Sequence, residues 1–207
     1  MRLLTSMWRQ LTAVEARRWL AAHGLVLVTE ATVAELISFL GDWTVPYPHP
    51  HESGPGITVI QPLSVSGENH NGFTRRSLAL HTDRAHSRVP PTIVGCLYTQ
   101  PSADGGESLL LDGAEIIRAV EHKTLLSEAR HVVLRARGCP WPPVMSLTAD
   151  GKRYHIRYRD DQIGRPHAAT ISAQPLLTMM QRPLATPAVY LFDKGQGYLI
   201  HNRRPPG

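Results

Sequence analysis

The 207-residue sequence has few cysteines, few aromatic residues and no long apolar run. Its two cysteines, Cys96 and Cys139, stand far apart and form no Cys-x-x-Cys motif, which argues against both a zinc ribbon and a disulfide scaffold. The apolar runs are far shorter than the roughly 20 residues of a membrane helix. Charged residues also interrupt the N-terminal segment where a signal peptide has its apolar core. These absences predict a soluble, cytoplasmic protein.

The composition is that of an ordinary globular protein, with 42% hydrophobic and 19% charged residues. Aromatic residues make up only 6%, so a mainly aliphatic core is expected. The net charge of +5 favours an anionic partner, either a nucleic acid or a small carboxylate or phosphate. Because the basic residues are scattered and aromatic residues are few, a nucleic-acid platform is the weaker interpretation. We therefore expect a small-molecule substrate and neither a nucleic-acid nor a membrane partner.

Two capping boxes predict helices near the N-terminus. Thr12 and Thr32 are each followed three residues later by a glutamate, and the helices that they open are expected to end at Gly24 and Gly41. Between the two helices, residues 25–29 are typical of a buried strand. The N-terminal part of the chain is therefore predicted to be two short helices with one strand between them.

Short β-type runs separated by turns dominate the rest of the chain, with one helix expected at 114–122. The predicted strands are 57–63, 78–82, 92–99, 108–112, 132–137, 153–158 and 189–200, the last with a glycine-rich break. Helices followed by many short strands favour a mainly β protein with flanking helices, a sandwich or jelly roll, over a parallel α/β sheet.

The motif with the most direct chemical meaning is His81-Thr82-Asp83, which follows an apolar run typical of a strand. Residues i and i+2 of a strand point to the same face, so the imidazole and the carboxylate would converge. One nitrogen and one carboxylate oxygen are two of the three ligands in the facial triad of non-haem Fe(II) oxygenases, which leaves positions open for a co-substrate and oxygen. Alone, so short a motif occurs often by chance.

A second motif, Gly105-Gly106-Glu107-Ser108, follows the first and precedes another apolar run. Together the two motifs resemble the Fe(II)/2-oxoglutarate-dependent oxygenases of the taurine dioxygenase and clavaminate synthase-like group, in which an HxD motif is followed by a GG-x-[ST] motif. The resemblance implies that the Ser108 hydroxyl hydrogen-bonds a carboxylate of 2-oxoglutarate.

The resemblance also implies a catalytic role, as iron ligands, for His81 and Asp83. It implies a double-stranded β-helix, the cupin-like jelly roll, formed as a single domain over residues 1–207. In this domain, residues 1–45 would supply the N-terminal helices and strand, and residues 57–207 the β core.

The resemblance breaks at the C-terminal end of the sequence. Asn202-Arg203 is similar to the start of the family's N-R-x-x-x-H-G-R motif, but Gly207 stands near the position of the distal histidine. The third iron ligand and the arginine that binds 2-oxoglutarate are both in question. Three explanations stay open. The chain is a truncated active oxygenase, another residue such as His201 is the third metal ligand, or the protein is a degenerate member that no longer catalyses oxidation.

Basic residues in the run 153–159 offer a further way to hold a carboxylate. Arg153, His155, Arg157 and Arg159 would share one face of a strand. Arg157 is the residue expected to bind 2-oxoglutarate or an amino-acid-like substrate. The alternative is a solvated edge strand that its charges protect from aggregation.

The resemblance implies an oxidoreductase with Fe(II) as cofactor and 2-oxoglutarate as co-substrate. Such a dioxygenase would hydroxylate, or desaturate, a small amino acid or an intermediate of natural-product biosynthesis, with a carboxylate on the substrate. Retention of Asp83 favours these reactions over halogenation, because halogenating relatives have a small residue at that position. The alternative is a non-catalytic binding protein on the same scaffold.

Overall fold

The structure is a computed structural model that describes residues 8–62, 71–123, 125–138, 141–147, 154–182 and 186–203. The α-helices within these ranges are α1 (Ala13–His23), α2 (Val33–Gly41), α3 (Gly113–His122) and α4 (Gln174–Met180). The strands are β1 (Leu25–Val28), β2 (Ile93–Tyr98), β3 (Ser108–Leu110), β4 (Val132–Ala136), β5 (Met145–Leu147), β6 (Tyr154–Ile156), β7 (Gly164–Ala168), β8 (Ala188–Tyr190) and β9 (Gln196–His201). Short 3-10 helices occur at Trp8–Gln10, Asn71–Phe73, Leu126–His131 and Ile171–Ala173.

The described strands form small antiparallel sheets, with the helices packed beside them. A three-stranded sheet has the order β1-β9-β2, and two-stranded sheets pair β3 with β8, β4 with β7 and β5 with β6. The predicted mainly β class with flanking helices is therefore confirmed. The closed arrangement of a jelly roll stays a prediction.

The N-terminal helices begin where the capping boxes predict. Thr12 and Thr32 each accept a hydrogen bond at 3.2 Å from the backbone N–H of the glutamate three residues later. That glutamate's carboxylate accepts in return from the threonine N–H at 2.8 Å. Gly24 ends α1 with a φ of 76°, a left-handed conformation that glycine adopts without strain. Both helices and the strand between them are confirmed.

The strand that organises the site is β9, which lies between β1 and β2. Ile200 of β9 pairs with Leu25 on one side and with Val94 on the other. Gly197 lies at a close approach of β9 to β2, because a Cβ atom there would overlap the carbonyl oxygen of Cys96. Asn202, which directly follows β9, lies against the loop that carries the HxD motif.

Two hydrophobic clusters form the described core. The first joins α1, α2 and the three-stranded sheet through buried residues such as Leu20 and Leu199. The second joins α3, α4, β4, β5 and β6 through residues such as Ile117 and Leu134. Most residues in both clusters are aliphatic, as the composition predicted. No helix in the described part of the chain is long and apolar enough to cross a bilayer.

Two of the predicted strands are wrong. Residues 57–62 form no strand beyond a bridge between Gly54 and Ile57, and residues 78–82 form none either. Residue 63 lies outside the described residues. Val59 and Ile60 are exposed, so among the described residues this apolar run has neither a ladder partner nor a core to cover it. An apolar run becomes a strand only where a partner accepts its backbone hydrogen bonds.

The elements that sequence patterns missed are β5, β7 and α4. Strand β7 contains Pro166 and shows no apolar alternation, yet it pairs with β4 over its full length. Helix α4 is only 7 residues long and has a proline in its first turn, so its sequence carries little periodicity.

Candidate functional site

The HxD motif lies in a loop that is tied to the chain following β6. The backbone N–H of Thr82 donates to the carbonyl of Tyr158 at 2.8 Å. In return, the Tyr158 N–H donates to the Thr82 hydroxyl oxygen at 3.1 Å. The prediction that the motif ends a strand is therefore wrong, since its middle residue is held by one reciprocal contact rather than by a ladder.

Asn202, which follows β9, fixes the motif from another side. Its Oδ1 accepts from the backbone N–H of Asp83 at 2.7 Å, and its Nδ2 donates to the carbonyls of Asp83 and Pro91, each at 2.9 Å. The Asn202 N–H donates to the carbonyl of Thr92 at 2.9 Å. Asn202 is only 6% exposed, so these bonds are shielded from water and are strengthened by the low local dielectric.

The side chains of His81 and Asp83 line one cleft and keep donor atoms available. The Nδ1 of His81 lies 2.7 Å from the carbonyl oxygen of Ala79, which favours the proton on Nδ1 and leaves Nε2 to bind a metal. The Asp83 carboxylate forms no hydrogen bond or ion pair with any described residue. The donor set thus fits two protein ligands of a non-haem iron site.

His201 is the last residue of β9 and lines the same cleft, directly before Asn202. Its backbone N–H donates to the carbonyl of Gly24 at 2.9 Å. Within the described ranges, however, no three His, Cys, Asp or Glu side chains lie close enough together to hold a metal ion. The structure brings His201 to the cleft without joining it to His81 and Asp83 in a three-ligand group.

Ser108 begins β3 and is buried. Its Oγ lies 2.8 Å from the hydroxyl oxygen of Tyr98, which also donates to the carbonyl of Gly106 at 3.0 Å. A phenol has one proton, so while Tyr98 donates that proton to Gly106, Ser108 must donate its own to Tyr98. The hydroxyl that the resemblance assigns to a carboxylate of 2-oxoglutarate is therefore engaged by Tyr98 in this structure.

An aromatic cluster surrounds Ser108, and sequence reasoning missed it. The ring of Phe192 lies 5.3 Å from Tyr98 and 5.6 Å from both Tyr190 and Tyr198, centroid to centroid. Burial raises the pKa of Tyr98 and of Tyr198, so both phenols stay protonated near neutral pH. These four residues come from three separated parts of the chain, so residue spacing gave no signal of the cluster.

Arg157 is directed to the loop that follows the HxD motif. Its Nη1 donates to the carbonyl of Ser87 at 2.8 Å and to that of Ala85 at 3.3 Å. Its backbone N–H donates to the carbonyl of Val144 at 2.7 Å. These contacts make Arg157 a support for residues 85–87, and its predicted role in binding a carboxylate stays a prediction.

Arg159 forms a buried ion pair with Asp161. Its Nε lies 2.8 Å from each carboxylate oxygen, and the arginine is 7% exposed. Burial alone would raise the pKa of Asp161, but hydrogen bonds from Arg159 and from the Ile163 N–H outweigh burial and lower it. The strand expected at 153–159 ends at Ile156. The alternative interpretation, a solvated edge strand, is therefore wrong at Arg159, which is buried. Arg153 lies outside the described residues.

The cleft that holds these groups is wide and open, with a volume of about 3300 Å³. Small-molecule pockets typically measure about 300–1,000 Å³, so the described residues do not enclose a small substrate by themselves. Basic side chains line its part beside the HxD motif, namely Arg84, His86 and Arg159. Arg159 is already paired with Asp161, so Arg84 is the side chain among these three that suits an anionic group.

Comparisons with known proteins identify a family and similar folds. The taurine catabolism dioxygenase TauD, TfdA family matches residues 5–131. A crystal structure of asparagine oxygenase matches with a TM-score of 0.59 and 14% identity, covering 92% of this chain and 68% of that chain. A structure of asparagine oxygenase in complex with Fe(II), 2S,3S-3-hydroxyasparagine and succinate has a TM-score of 0.47 and 17% identity, covering 69% of this chain and 46% of that one. No curated protein sequence matches.

Proposed function

Because this chain belongs to the taurine catabolism dioxygenase TauD, TfdA family, we propose that it hydroxylates, or desaturates, a small amino acid or a natural-product intermediate. The family match covers both sequence motifs and confirms the predicted enzyme class, a dioxygenase that depends on Fe(II) and 2-oxoglutarate. The reaction type, the substrate and the site residues are our proposals. So are the jelly-roll scaffold and the cytoplasmic location.

The observation that carries the proposal is the double attachment of the HxD motif. Thr82 is tied to Tyr158, and Asp83 is tied to Asn202, so the backbone of the motif is fixed before any ligand binds. The Nε2 of His81 and the carboxylate of Asp83 are left without partners in the described chain. A pre-organised pair of this kind is what a metal site requires.

In this proposal His81 and Asp83 hold the iron, and His201 or water completes the ligand set. Bound Fe(II) would supply the oxygen activation and the oxidative decarboxylation of 2-oxoglutarate. Ser108 would bind a carboxylate of 2-oxoglutarate through its hydroxyl. For Ser108 to donate there, Tyr98 must turn its proton from the carbonyl of Gly106 to the serine oxygen.

The guanidinium of Arg84, which forms no ion pair with a described residue, supports a carboxylate-bearing substrate. Arg84, His86 and Arg159 line the part beside Asp83. The enzyme named in the structural match is an asparagine oxygenase. Asparagine and other small amino acids are therefore the substrates to test first.

A non-catalytic binding protein is the second candidate function. It is favoured by one observation, that the described side chains form no group of three possible metal ligands. Such a protein would bind the carboxylate ligand in the same cleft without oxidising a substrate.

An anaerobic titration with Fe(II) and 2-oxoglutarate tests the proposal. We expect a saturable visible metal-to-ligand charge-transfer band in the wild type, its loss in His81→Ala, and its retention in His167→Ala, which alters an exposed histidine of β7. Succinate formation in air with a panel of amino acids then identifies the substrate. A band without succinate from any amino acid supports the binding-protein alternative, and no band at saturating iron overturns the oxygenase proposal.

A further inference from the structure

Two buried nitrogen atoms beside the HxD motif lack partners. The Nε of Arg84 and the Nδ1 of His86 are shielded from water and have no hydrogen-bond partner among the described residues. Buried polar atoms are nearly always bonded, so two such atoms, two residues apart in one loop, call for an explanation. Both residues line the cleft. A ligand that enters the cleft would supply the missing partners.

The backbone of Arg84 is held in an unusual conformation. Its φ is 52°, in the left-handed region that residues other than glycine seldom adopt. Neighbouring bonds maintain it, since Asn202 binds the peptide groups of Asp83 and the Ser87 N–H donates to the Arg84 carbonyl at 2.8 Å. Arg157 holds the carbonyl of Ser87 in turn. Strain that the surroundings enforce in this way is common at ligand-binding positions.

Arg84 has no counter-ion among the described residues. Burial lowers the pKa of His86, and the positive charges of Arg84 and Arg159 lower it further, against the opposing effect of Asp83 and Asp161. Asp161 is already paired with Arg159. Asp83 forms no ion pair with Arg84, and it is the carboxylate proposed for iron. An added anion would therefore complete this cluster.

We propose that Arg84 and His86 form a carboxylate-binding subsite in the cleft, which holds one carboxylate of 2-oxoglutarate or of an amino-acid substrate. This inference rests on the proposed function and names the residues that would select its ligands. A guanidinium suits a carboxylate because its planar N–H groups match the two oxygens. In this proposal Arg84 and His86 bind the carboxylate, and Arg157 supports the loop that carries them.

Equilibrium binding to the metal-free protein tests the subsite independently of iron chemistry. Calorimetric titrations with 2-oxoglutarate and, separately, with L-asparagine compare the wild type with Arg84→Gly, Arg84→Lys and Arg88→Gly. Glycine adopts a φ of 52° without strain, so Arg84→Gly removes the side chain while sparing the backbone. Arg88→Gly removes the same side chain from an exposed position in the same loop. Thermal melts verify that each variant is folded.

We expect Arg84→Gly to weaken binding of at least one acid by about tenfold or more, as the loss of a charge-assisted hydrogen bond implies. Arg84→Lys should recover only part of that loss, because an ammonium lacks the planar fork, and Arg88→Gly should bind as the wild type does. The acid whose affinity falls identifies which carboxylate occupies the subsite.

A variant pair at His86 provides the second test. His86→Phe removes the ring nitrogen and should weaken the same acid, whereas His86→Asn places a polar atom near the position of Nδ1 and should recover part of the affinity. Equal affinities in the wild type and Arg84→Gly, or no saturable binding of either acid, overturn the subsite. Failure of the oxygenase proposal is distinguished by its own readout, which is loss of the iron-dependent band while metal-free binding stays intact.

Discussion

The side-chain amide of Asn202 binds both backbone polar groups of Asp83, accepting from its N–H at 2.7 Å and donating to its carbonyl at 2.9 Å. The two residues lie far apart in the sequence, one in the loop before β2 and the other just after β9. The bond pair therefore couples the position of a candidate iron ligand to the correct placement of the central strand.

Asn202→Ala should destabilise the protein and weaken iron binding together. The substitution leaves buried polar groups of Asp83 and Pro91 unsatisfied, which costs about 1–3 kcal/mol for each such group. Urea denaturation would give the stability change, and an Fe(II) titration the change in affinity. Asn202→Asp keeps one acceptor but turns a charged carboxylate oxygen towards the carbonyls of Asp83 and Pro91 in a buried position, so a loss at least as large is expected. An unchanged unfolding midpoint in Asn202→Ala would contradict the coupling.

Ser108→Ala and Tyr98→Phe should have opposite effects on 2-oxoglutarate binding. Removing the serine hydroxyl removes the donor proposed for the carboxylate, so the dissociation constant should rise by about tenfold. Removing the tyrosine hydroxyl removes the acceptor that competes for the serine proton, so binding should be unchanged or tighter. Calorimetry on both variants measures this. Equal weakening in the two variants would show that Tyr98 supports the ligand instead of competing with it.

The Asp161 carboxylate should stabilise the fold at neutral pH and lose that effect in acid. Its pKa is lowered in the folded state, so its contribution is present above its ordinary value of 3.8 and is lost as pH falls through the lower folded value. Asp161→Asn leaves Arg159 buried without its partner, and a loss of about 2 kcal/mol or more is expected at pH 7.

Urea denaturation of Asp161→Asn and the wild type across pH measures this contribution. Their difference in unfolding free energy should shrink below pH 3.8. Asp104→Asn, an exposed position, is the control and should show little difference at any pH. If the difference in unfolding free energy between Asp161→Asn and the wild type stays constant with pH, the stabilising role of the Asp161 carboxylate is refuted.

Gly197→Ala should destabilise the three-stranded sheet, whereas Gly41→Ala should not. A Cβ at Gly197 would overlap the carbonyl oxygen of Cys96, so β9 and β2 would have to separate, at a cost of about 2 kcal/mol or more. A Cβ at Gly41, the last residue of α2, meets nothing within 4 Å, and alanine there should be neutral or stabilising by up to about 1 kcal/mol. Thermal melts of the two variants test this difference in stability, and similar melting temperatures for Gly197→Ala and Gly41→Ala would contradict the prediction.

Local chemistry explains which parts of the fold could be predicted from the sequence. The capping boxes at Thr12 and Thr32 act within one turn of helix, so the sequence contains everything that they need. The strand at β2 is likewise an apolar run that the central sheet buries in part. The apolar run at 57–62 has the same appearance but no partner strand in the described part of the chain, and strand partners depend on the whole fold.

The candidate site also contains features that the sequence could predict and features that it could not. The HxD and GG-x-S motifs identified His81, Asp83 and Ser108, because each motif is short and continuous. The attachment of Asp83 to Asn202 and the turn of Arg157 towards Ser87 depend on contacts across the chain, so residue spacing could not reveal them. The left-handed conformation of Arg84 is also enforced by distant residues, and its side chain carries no signal of it.

The position of β9 between β1 and β2 also affects how the protein folds during synthesis. During synthesis, β1 and β2 leave the ribosome before residues 99–195, and each lacks its partner strand until β9 follows. Unpaired edges of this kind attract other chains, so the nascent polypeptide passes through a long interval in which aggregation competes with folding. Slow translation of this region would lengthen the interval, and a chaperone that covers strand edges would be most useful there.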